Sequence, residues 1–223
     1  MKKITHNGMK KITYSTKDYD FNSLIKEWLQ VDDLTTLHKL SDYKEIFSRE
    51  KDQSSEWHQT FYNKIRNDSS FFDLYERFLA DVIKPTHEEG IVYQKIPTFR
   101  VHLSGNIAVG EWHKDKAYRE DGWSDLVKEI NYYLPFTDTN DENTIWVESE
   151  EDKGDFSPMI LKYGECMKWD GVNLMHGNKV NSSDKTRVSV DFRVIDKKNY
   201  VPSEHGSINM KIPFSIGGYY KEM

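Results

Sequence analysis

The spacing of apolar residues changes near residue 90, from a helical period to a strand period. Between residues 20 and 84, apolar residues recur every three or four positions, as they do on the buried face of an amphipathic helix. The three sets are Phe21, Leu24, Ile25, Trp28 and Leu29; Trp57, Phe61 and Ile65; and Phe71, Tyr75, Phe78, Leu79 and Val82. These sets predict helices, the third of them capped by Ser69 or Ser70 and ended by Pro85.

After residue 90, apolar and polar residues alternate with the period of two that is typical of a strand. In two segments the apolar residues are Phe99, Val101 and Leu103, and Val188, Val190, Phe192 and Val194. Their polar neighbours are Arg100, His102 and Ser104, and Arg187, Ser189, Asp191 and Arg193. Further strands are predicted at 107–115, 129–134, 144–148, 159–161 and 165–169. Many short strands separated by turns indicate a sandwich, jelly roll or barrel.

Helices that precede the strands indicate an α+β protein, mainly β, whose sheet is backed on one face by helices. No segment resembles a linker, so we predict a single domain over residues 1–223. Residues 1–90 form its mainly helical part, and residues 91–223 form the strand-rich core. The apolar backs of two strands must be buried, and their polar fronts face either solvent, the simpler interpretation of one strand alone, or a polar cavity. Two such strands together suit a sheet whose back carries the helices and whose front lines a polar pocket. The segment MKKIT occurs at Met1 and again at Met9, and we expect the first eight residues to be dispensable.

Composition excludes several classes of protein. The chain of 223 residues has one cysteine, Cys166, which excludes an internal disulfide framework and favours a buried, small apolar side chain. A net charge of -6 excludes a generally basic nucleic-acid binder. No apolar run approaches the ~20 residues of a membrane span, and no signal peptide is evident. We therefore expect a cytoplasmic protein with a small-molecule partner, and the oligomeric state stays open.

The segment Glu111–Asp115 contains a candidate metal motif, His-x-Asp. On a strand, His113 and Asp115 would point to the same face, and Lys114 would point away from it. A distant histidine would complete the two-histidine, one-carboxylate triad that leaves three open positions on non-haem Fe(II). Downstream of the motif, the chain offers His176 and His205 for this role.

The motif is weak by itself, because chance alone yields about 0.7 such pairs in a chain of this composition. The segment His87-Glu88-Glu89 also fits a histidine–carboxylate pattern. It follows Pro85 and lacks strand alternation, so we interpret it as a solvated turn.

A basic residue follows the candidate ligand His176 a short way along the chain. Arg187 comes eleven residues after His176, and Ser189 shares its strand face. A guanidinium beside a hydroxyl is a good receptor for a carboxylate. A dicarboxylic cosubstrate could then chelate iron at one end and bind Arg187 at the other. The alternative is a surface ion pair of Arg187 with Asp184 or Asp191.

From Arg100 to Val194 the chain resembles the Fe(II)/2-oxoglutarate-dependent oxygenases. The resemblance is to their phytanoyl-CoA-hydroxylase-like branch and to the streptomycin-biosynthesis StrG-like proteins. The segments that carry it are GEWHKD, NYYLPFTD, NTIWVES, WDGVNLMHGN and TRVSVDFRV. It implies a double-stranded β-helix core, which is a jelly-roll or cupin-like fold. It also implies Fe(II), 2-oxoglutarate and O2.

The resemblance further implies roles for individual residues. The iron ligands would be His113, Asp115 and His176. The 2-oxoglutarate contacts would be Arg187, Ser189 and Asn131. Candidate substrate-binding residues are Arg100, Tyr118, Trp146 and Arg193. Of these, Arg100 and Arg193 could instead pair with carboxylates, and Trp146 could serve packing alone. The segment that holds Tyr118, Arg119 and Trp123 could act as a lid.

The predicted activity is oxidation of an unactivated C–H bond in a small polar metabolite, usually by hydroxylation, with release of succinate and CO2. Because related halogenases lack the carboxylate ligand, the presence of Asp115 weighs against halogenation. Two alternatives remain. One is a metal-dependent jelly-roll enzyme that works without 2-oxoglutarate, such as an isomerase. The other is a non-catalytic jelly-roll binding module with structural histidines.

Overall fold

The computed structural model describes residues 8–40, 53–109, 111–203, 205–207 and 212–223. The α-helices are α1 (Phe21–Leu29), α2 (Glu56–Asn67), α3 (Ser70–Phe78) and α4 (Trp123–Val127). The strands are β1 (Lys10–Thr13), β2 (Ile91–Gln94), β3 (Thr98–His102), β4 (Ile130–Pro135), β5 (Ile145–Val147), β6 (Ser157–Pro158), β7 (Glu165–Trp169), β8 (His176–Asn178), β9 (Arg187–Asp196) and β10 (Tyr220–Glu222). Short 3-10 turns cover Leu34–Lys39, Lys84–Thr86, Asp115–Tyr118 and Lys197–Asn199, and a π turn covers Leu79–Ile83.

The three predicted helices are present, and Ser69 occupies the N-cap position of α3, but its side chain makes no capping hydrogen bond. At the start of α3, the carboxylate of Asp68 accepts a hydrogen bond from the Ser70 backbone N–H at 2.8 Å. The Ser69 hydroxyl instead donates to Asp73. Helical backbone also continues through Lys84 into a turn that contains Pro85, because proline is tolerated in the first turn of a helical segment.

Strand β9 is the centre of a seven-stranded sheet. The order of the sheet is β1-β7-β4-β9-β2-β10, and β3 also pairs with β9. One edge of β9 pairs with β4, while the other edge pairs with β3 and then with β2. A second sheet has the order β6-β5-β8. The paired strands are antiparallel, so the described chain is mainly antiparallel β with helices added.

The two faces of the large sheet have different partners. Val188, Val190, Phe192 and Val194 face a core that also contains the buried residues of α1, α2 and α3. There Phe61 of α2 stacks on Phe99 of β3, with ring centroids 4.2 Å apart. A smaller apolar cluster joins the other face to the second sheet and contains Tyr133, Val147 and Trp169. The helices therefore cover one face of the sheet, and the polar front of β9 lies inside the molecule, as its alternation indicated.

Some strand predictions were wrong. The described residues of 107–115, which exclude residue 110, do not form a strand: His113 makes an isolated bridge with His176, and a 3-10 turn begins at Asp115. Residues 159–161 lie outside β6, and neither β2 nor β10 was expected. These segments are short, so their pairing depends on neighbouring strands more than on their own pattern.

Three smaller expectations have clear outcomes. The second MKKIT copy forms β1, and the first lies outside the described residues. Cys166 is fully buried in the apolar core, as expected. None of the described helices combines the length and the apolar content that crossing a lipid bilayer requires.

Candidate metal centre

Three side chains that could bind a metal ion converge between the two sheets. His113 Nε2 lies 3.5 Å from Asp115 Oδ1, and His176 Nε2 lies 3.9 Å from the same oxygen. All three possible ligand atoms lie within 4.8 Å of one another. The two distances to Asp115 are below about 4.2 Å, which is twice a typical metal–nitrogen bond length. One ion could therefore contact all three side chains with small adjustments.

Both histidines present the same ring nitrogen to this space. His113 Nδ1 donates to the carbonyl oxygen of Glu111 at 2.9 Å, and His176 Nδ1 donates to that of Leu174 at 2.9 Å. In each case the carbonyl belongs to the residue two positions earlier. A protonated Nδ1 leaves the Nε2 lone pair free, which is the tautomer a metal ligand needs.

Asp115 enters the cluster from the first residue of a 3-10 turn. Its backbone N–H donates to the carbonyl oxygen of Gly171 at 2.9 Å, which fixes the turn against the segment between β7 and β8. Burial by itself raises the pKa of a carboxyl group. Here the charge of the Arg193 guanidinium outweighs burial and holds the pKa of Asp115 well below its usual range. The carboxylate is therefore ionised, as a metal ligand must be.

His176 is held neutral by its surroundings. Burial, together with the neighbouring His113, lowers the pKa of His176 to about 4, even though Asp115 favours the charged form. The Trp169 ring packs edge-on against the imidazole with centroids 4.8 Å apart. A neutral imidazole with a free Nε2 can coordinate a cation at neutral pH without first losing a proton.

Arg187 is buried at the far side of the same cleft and is 1 % exposed. Its Nη1 donates to Ser189 Oγ at 2.7 Å, and its Nε donates to the Asn143 carbonyl oxygen at 3.0 Å. Its Nη2 has no hydrogen-bond partner among the described residues. The alternative, a surface ion pair of Arg187 with Asp184 or Asp191, is not formed within this part of the chain. Burial lowers the pKa of Arg187, although Tyr133 and the more distant Asp191 act in the opposite direction.

The other predicted 2-oxoglutarate contact has a different neighbour. Asn131 donates from Nδ2 to Asp115 Oδ2 at 2.8 Å, so its amide holds the carboxylate rather than facing only the cleft. The Asn131 Oδ1 is buried without a partner among the described residues.

Both candidate arginines for substrate pair with carboxylates, which is the alternative that the sequence left open. Arg193 contacts Asp115 at 2.8 Å and Asp191 at 2.6 Å. Arg100 lies 3.5 Å from the other oxygen of Asp191. Both arginines still line the cleft with His113, but their charges are already compensated by acidic neighbours.

The remaining substrate candidates differ in position. Tyr118 stays beside the cluster, with its ring 5.2 Å from that of His113. Trp146 is not at the cleft: it points away from it and packs under Lys179, whose Nζ lies 3.1 Å from the ring centroid. Strand alternation explains this, because its neighbour Ile145 is the residue of β5 that lines the cleft.

The segment after Asp115, which was a candidate lid, is anchored to the rest of the molecule. Arg119 makes a buried ion pair with Glu129 at 2.9 Å. Trp123 is buried and stacks on Phe214. The chain that follows the carboxylate is therefore held by the C-terminal part of the molecule.

Two other histidine segments lie apart from the cluster. His205, the second downstream candidate, is exposed and pairs with Glu120. His87 was expected in a solvated turn, yet its side chain is only 1 % exposed and contacts Asp196 at 2.7 Å. Its Nε2 lies 2.6 Å from the Tyr132 hydroxyl. The solvated part of that turn is Glu88 and Glu89, which are both exposed.

Two residues of the site were missed by the sequence analysis. Tyr133 lies beneath Arg187, whose guanidinium carbon is 5.6 Å from the ring centroid, and its hydroxyl has no partner among the described residues. Trp169 packs on His176. Tyr133 comes two positions after Asn131, so strand alternation could have placed it on this face. No local signal pointed to Trp169, because its role depends on pairing between β7 and β4.

The whole chain matches a known biosynthetic protein. It is 34% identical over 211 residues to the streptomycin biosynthesis protein StrG of Streptomyces griseus, covering 94% of this chain and 96% of that protein. The chain belongs to the StrG family. No protein-family model matches it.

A likeness to a solved structure supports the fold of this StrG relative. The non-heme alpha ketoglutarate dependent carbocyclase SnoK, from nogalamycin biosynthesis, matches with a TM-score of 0.52 at 13% identity. The match covers 85% of this chain and 80% of SnoK. At this identity the likeness shows a common fold.

Proposed function

We propose that this StrG relative is an Fe(II)- and 2-oxoglutarate-dependent dioxygenase. The observation that carries the proposal is the buried Arg187, whose Nη2 lacks a partner among the described residues in the cleft that His113 and His176 also line. A buried guanidinium without a carboxylate is costly unless a ligand supplies the anion. A metal triad and an unmatched cation in one cleft suit a cosubstrate that chelates metal at one end and carries a carboxylate at the other.

The donor set fits a ferrous ion. His113 Nε2, His176 Nε2 and Asp115 Oδ1 would be the ligands. Two imidazoles and one carboxylate, with the remaining positions open, are the set that non-haem Fe(II) oxygenases use. The carbonyl oxygens that accept from both Nδ1 atoms supply the outer contacts that such ligands need.

The polar groups around Arg187 fit a carboxylate. Arg187 Nη2 and the Tyr133 hydroxyl would donate to its two oxygens, since both are buried without a partner among the described residues. Ser189 keeps the guanidinium in place through its hydroxyl. We infer that Arg187, Ser189 and Tyr133 bind the distal carboxylate of 2-oxoglutarate.

When bound, Fe(II) and 2-oxoglutarate would supply the oxidising chemistry with O2, yielding succinate, CO2 and an oxidised substrate. The protein's own residues orient the candidate metal ligands and exclude water. Both histidine rings are fixed by backbone carbonyls, and Asp115 is held ionised by Arg193. Trp169 covers one side of His176 and limits access of water there.

We further propose that the fold is the double-stranded β-helix of the phytanoyl-CoA-hydroxylase-like branch and that the substrate is a small polar metabolite. The polar lining of the cleft supports the substrate class, since Arg100, Asn178 and Asp191 contribute to it beside the metal ligands. Most of these side chains are of types that form hydrogen bonds with the hydroxyl or amine groups of a substrate.

The test is anaerobic reconstitution with Fe(II) and 2-oxoglutarate, followed by exposure to O2 and measurement of succinate over a panel of polar metabolites. We expect release of succinate that requires the metal and is abolished in Asp115→Ala. Succinate release at the wild-type rate in Asp115→Ala would disprove the ligand assignment. Turnover of a metabolite without succinate would support the isomerase-like alternative, and absence of metal binding would support the binding module.

A further inference from the structure

The two oxygens of Asp115 have different surroundings. Oδ2 accepts from Asn131 Nδ2 at 2.8 Å, from Arg193 Nη2 at 2.8 Å and from Arg193 Nε at 3.2 Å. Among the described residues, Oδ1 faces the Nε2 atoms of His113 and His176, at 3.5 and 3.9 Å. A carboxylate oxygen has two lone pairs. Three donors therefore occupy Oδ2 fully, while Oδ1 remains available on the side of the histidines.

The donors to Oδ2 are themselves fixed. Asn131 of β4 lies directly opposite Arg193 of β9 in the antiparallel register, so both side chains point to the same face of the sheet. Arg193 is held from its other end by Asp191 Oδ2 at 2.6 Å. A Cβ atom on Gly171 would lie 2.5 Å from Asn131 Nδ2, so the absence of a side chain there leaves room for the amide.

We propose that Arg193 and Asn131 form a clamp that limits Asp115 to a single metal bond, through Oδ1. They are positioning residues, because both contact Asp115 through amide or guanidinium nitrogen atoms, which have no lone pair to offer a metal. A carboxylate free at both oxygens can chelate a cation with both. Here the second oxygen is already occupied by a guanidinium and an amide that a metal would have to displace.

The consequence depends on the proposed function. With a single bond from Asp115, a six-coordinate metal keeps three open positions. A chelating 2-oxoglutarate takes two of them, and one remains for O2. If Asp115 bound through both oxygens, 2-oxoglutarate and O2 would compete for the two positions left. The clamp therefore preserves the position at which O2 would bind.

The direct test uses Co(II) as the probe, without cosubstrate. Crystal structures of Co(II)-loaded wild type and Arg193→Gln/Asn131→Leu would show how Asp115 binds. We expect one Asp115 bond in the wild type. In the double variant we expect both oxygens within about 2.4 Å of the metal. Chelation by both oxygens in the wild type would overturn the proposal, as would a single bond in the double variant.

A solution measurement separates the clamp from a purely structural role. Dissociation constants for Co(II), and for 2-oxoglutarate on the Co(II)-loaded protein, would be measured by calorimetry for wild type, the single variant Arg193→Gln and the control Arg66→Gln. Arg66 is an exposed arginine on α2, so the control loses the same charge far from the cleft. We expect Arg193→Gln to bind Co(II) at least as tightly as wild type and 2-oxoglutarate about tenfold more weakly.

If Arg193→Gln bound both Co(II) and 2-oxoglutarate more weakly to the same degree, a structural role would be indicated and the proposal overturned. Unchanged affinity for both ligands would also overturn it. If Arg193→Gln fails to fold, Arg193→Lys replaces it in both measurements, because it keeps the charge but cannot donate from two nitrogens to Oδ2. If wild-type protein binds Co(II) but not 2-oxoglutarate, the proposed function fails. The metal-only crystal structures then still decide how Asp115 binds.

Discussion

Each candidate metal ligand is oriented by a contact of its own. The two imidazoles donate to carbonyl oxygens two residues earlier, at 2.9 Å in both cases. This contact is local, so the backbone conformation before each histidine selects its tautomer. Asp115 differs, because its orientation depends on β4 and β9. The orientation of each histidine is thus set within its own segment, whereas the orientation of the Asp115 carboxylate is set by residues of the large sheet.

Arg187 provides a prediction at the scale of one side chain. Replacing it with Gln removes the charged donor for a carboxylate, and a hydrogen bond to a charged group contributes about 1.5–3 kcal/mol. We expect 2-oxoglutarate to bind the Co(II)-loaded variant about 10- to 100-fold more weakly, with the affinity for Co(II) unchanged. Calorimetry measures both constants. Tyr133→Phe is the matched comparison, with an expected loss of about threefold to tenfold.

Equal affinity of Arg187→Gln and wild type for 2-oxoglutarate would contradict the assignment of this residue. A loss of Co(II) affinity in the same variant would point instead to a general disturbance of the cleft, since Arg187 donates to no metal ligand.

His102 provides a prediction about pH. It is fully buried between the carbonyl oxygens of Asn106 and Asn143. Burial and the nearby Arg187 lower the pKa of His102 to about 3, so the folded state resists protonation. The unfolded chain takes up a proton near pH 6.5. The stabilising effect of neutral His102 is thus complete above that pH and is lost as the pH falls toward 3.

The measurement is urea unfolding of the metal-free protein at several pH values between 7 and 4, for wild type and His102→Gln. Each protonation difference contributes at most about 1.4 kcal/mol per pH unit to the slope. We expect the free energy of unfolding to fall more steeply with acid in the wild type than in the variant. Identical slopes would mean that His102 titrates normally in the folded state.

At the scale of elements, the turn between β7 and β8 links the metal ligands to the sheet. The Gly171 carbonyl accepts from the Asp115 backbone, and its missing side chain leaves room for Asn131. A methyl group there would also meet the Trp169 ring at 2.9 Å. Gly171 therefore contacts both Asp115 and Asn131, the residue whose amide holds the Asp115 carboxylate.

We expect Gly171→Ala to displace Asn131 and to destabilise the protein by about 1–3 kcal/mol, the usual effect of overpacking. Unfolding in urea measures the stability, and calorimetry measures the affinity for Co(II), which we expect to fall. Gly154→Ala is the control for metal affinity: a Cβ there meets no atom within 4 Å, but the positive φ of 68° strains any side chain, so this variant destabilises the protein without touching Asn131. Unchanged stability and metal affinity in Gly171→Ala would show that the turn adapts without moving Asn131.

The long, strongly patterned elements were predictable, and the short ones were not. The alternation in β9 predicted both the strand and its two faces, because ten residues give a pattern that neighbours cannot override. β8 has three residues, and its strand conformation comes from pairing with β5. The same holds for residues 107–115, where pairing of His113 with His176 replaces the expected strand.

At the scale of the molecule, the candidate metal site joins the two sheets. His176 belongs to β8 in the small sheet, while Asp115 is held by Arg193 of β9 in the large one. A bound ion would therefore cross-link sheets that are otherwise connected by an apolar cluster and by loops. Such a ligand stabilises the folded state by a free energy that grows with the logarithm of the ratio of its concentration to its dissociation constant.

We expect Co(II) at about 100 times its dissociation constant to raise the free energy of unfolding by about 2.7 kcal/mol. For a chain of this size, the unfolding temperature should rise by about 5–10 °C. Differential scanning calorimetry measures the shift, with Asp115→Ala as the variant that should lose it. The same rise in Asp115→Ala would place the bound metal elsewhere on the protein.

The sequence by itself determined the helices, the alternation of the main strands and the candidates His113, Asp115 and His176. The helices, the strand alternation and the pair His113 and Asp115 follow from the identity and spacing of residues along one segment, whereas His176 was chosen from two downstream histidines through the resemblance to the oxygenases. Tertiary structure alone decided that Arg187 is buried without an acidic partner and that Arg193 supports Asp115. These depend on strand register and burial, which join residues far apart in the chain, and a local pattern does not contain that information.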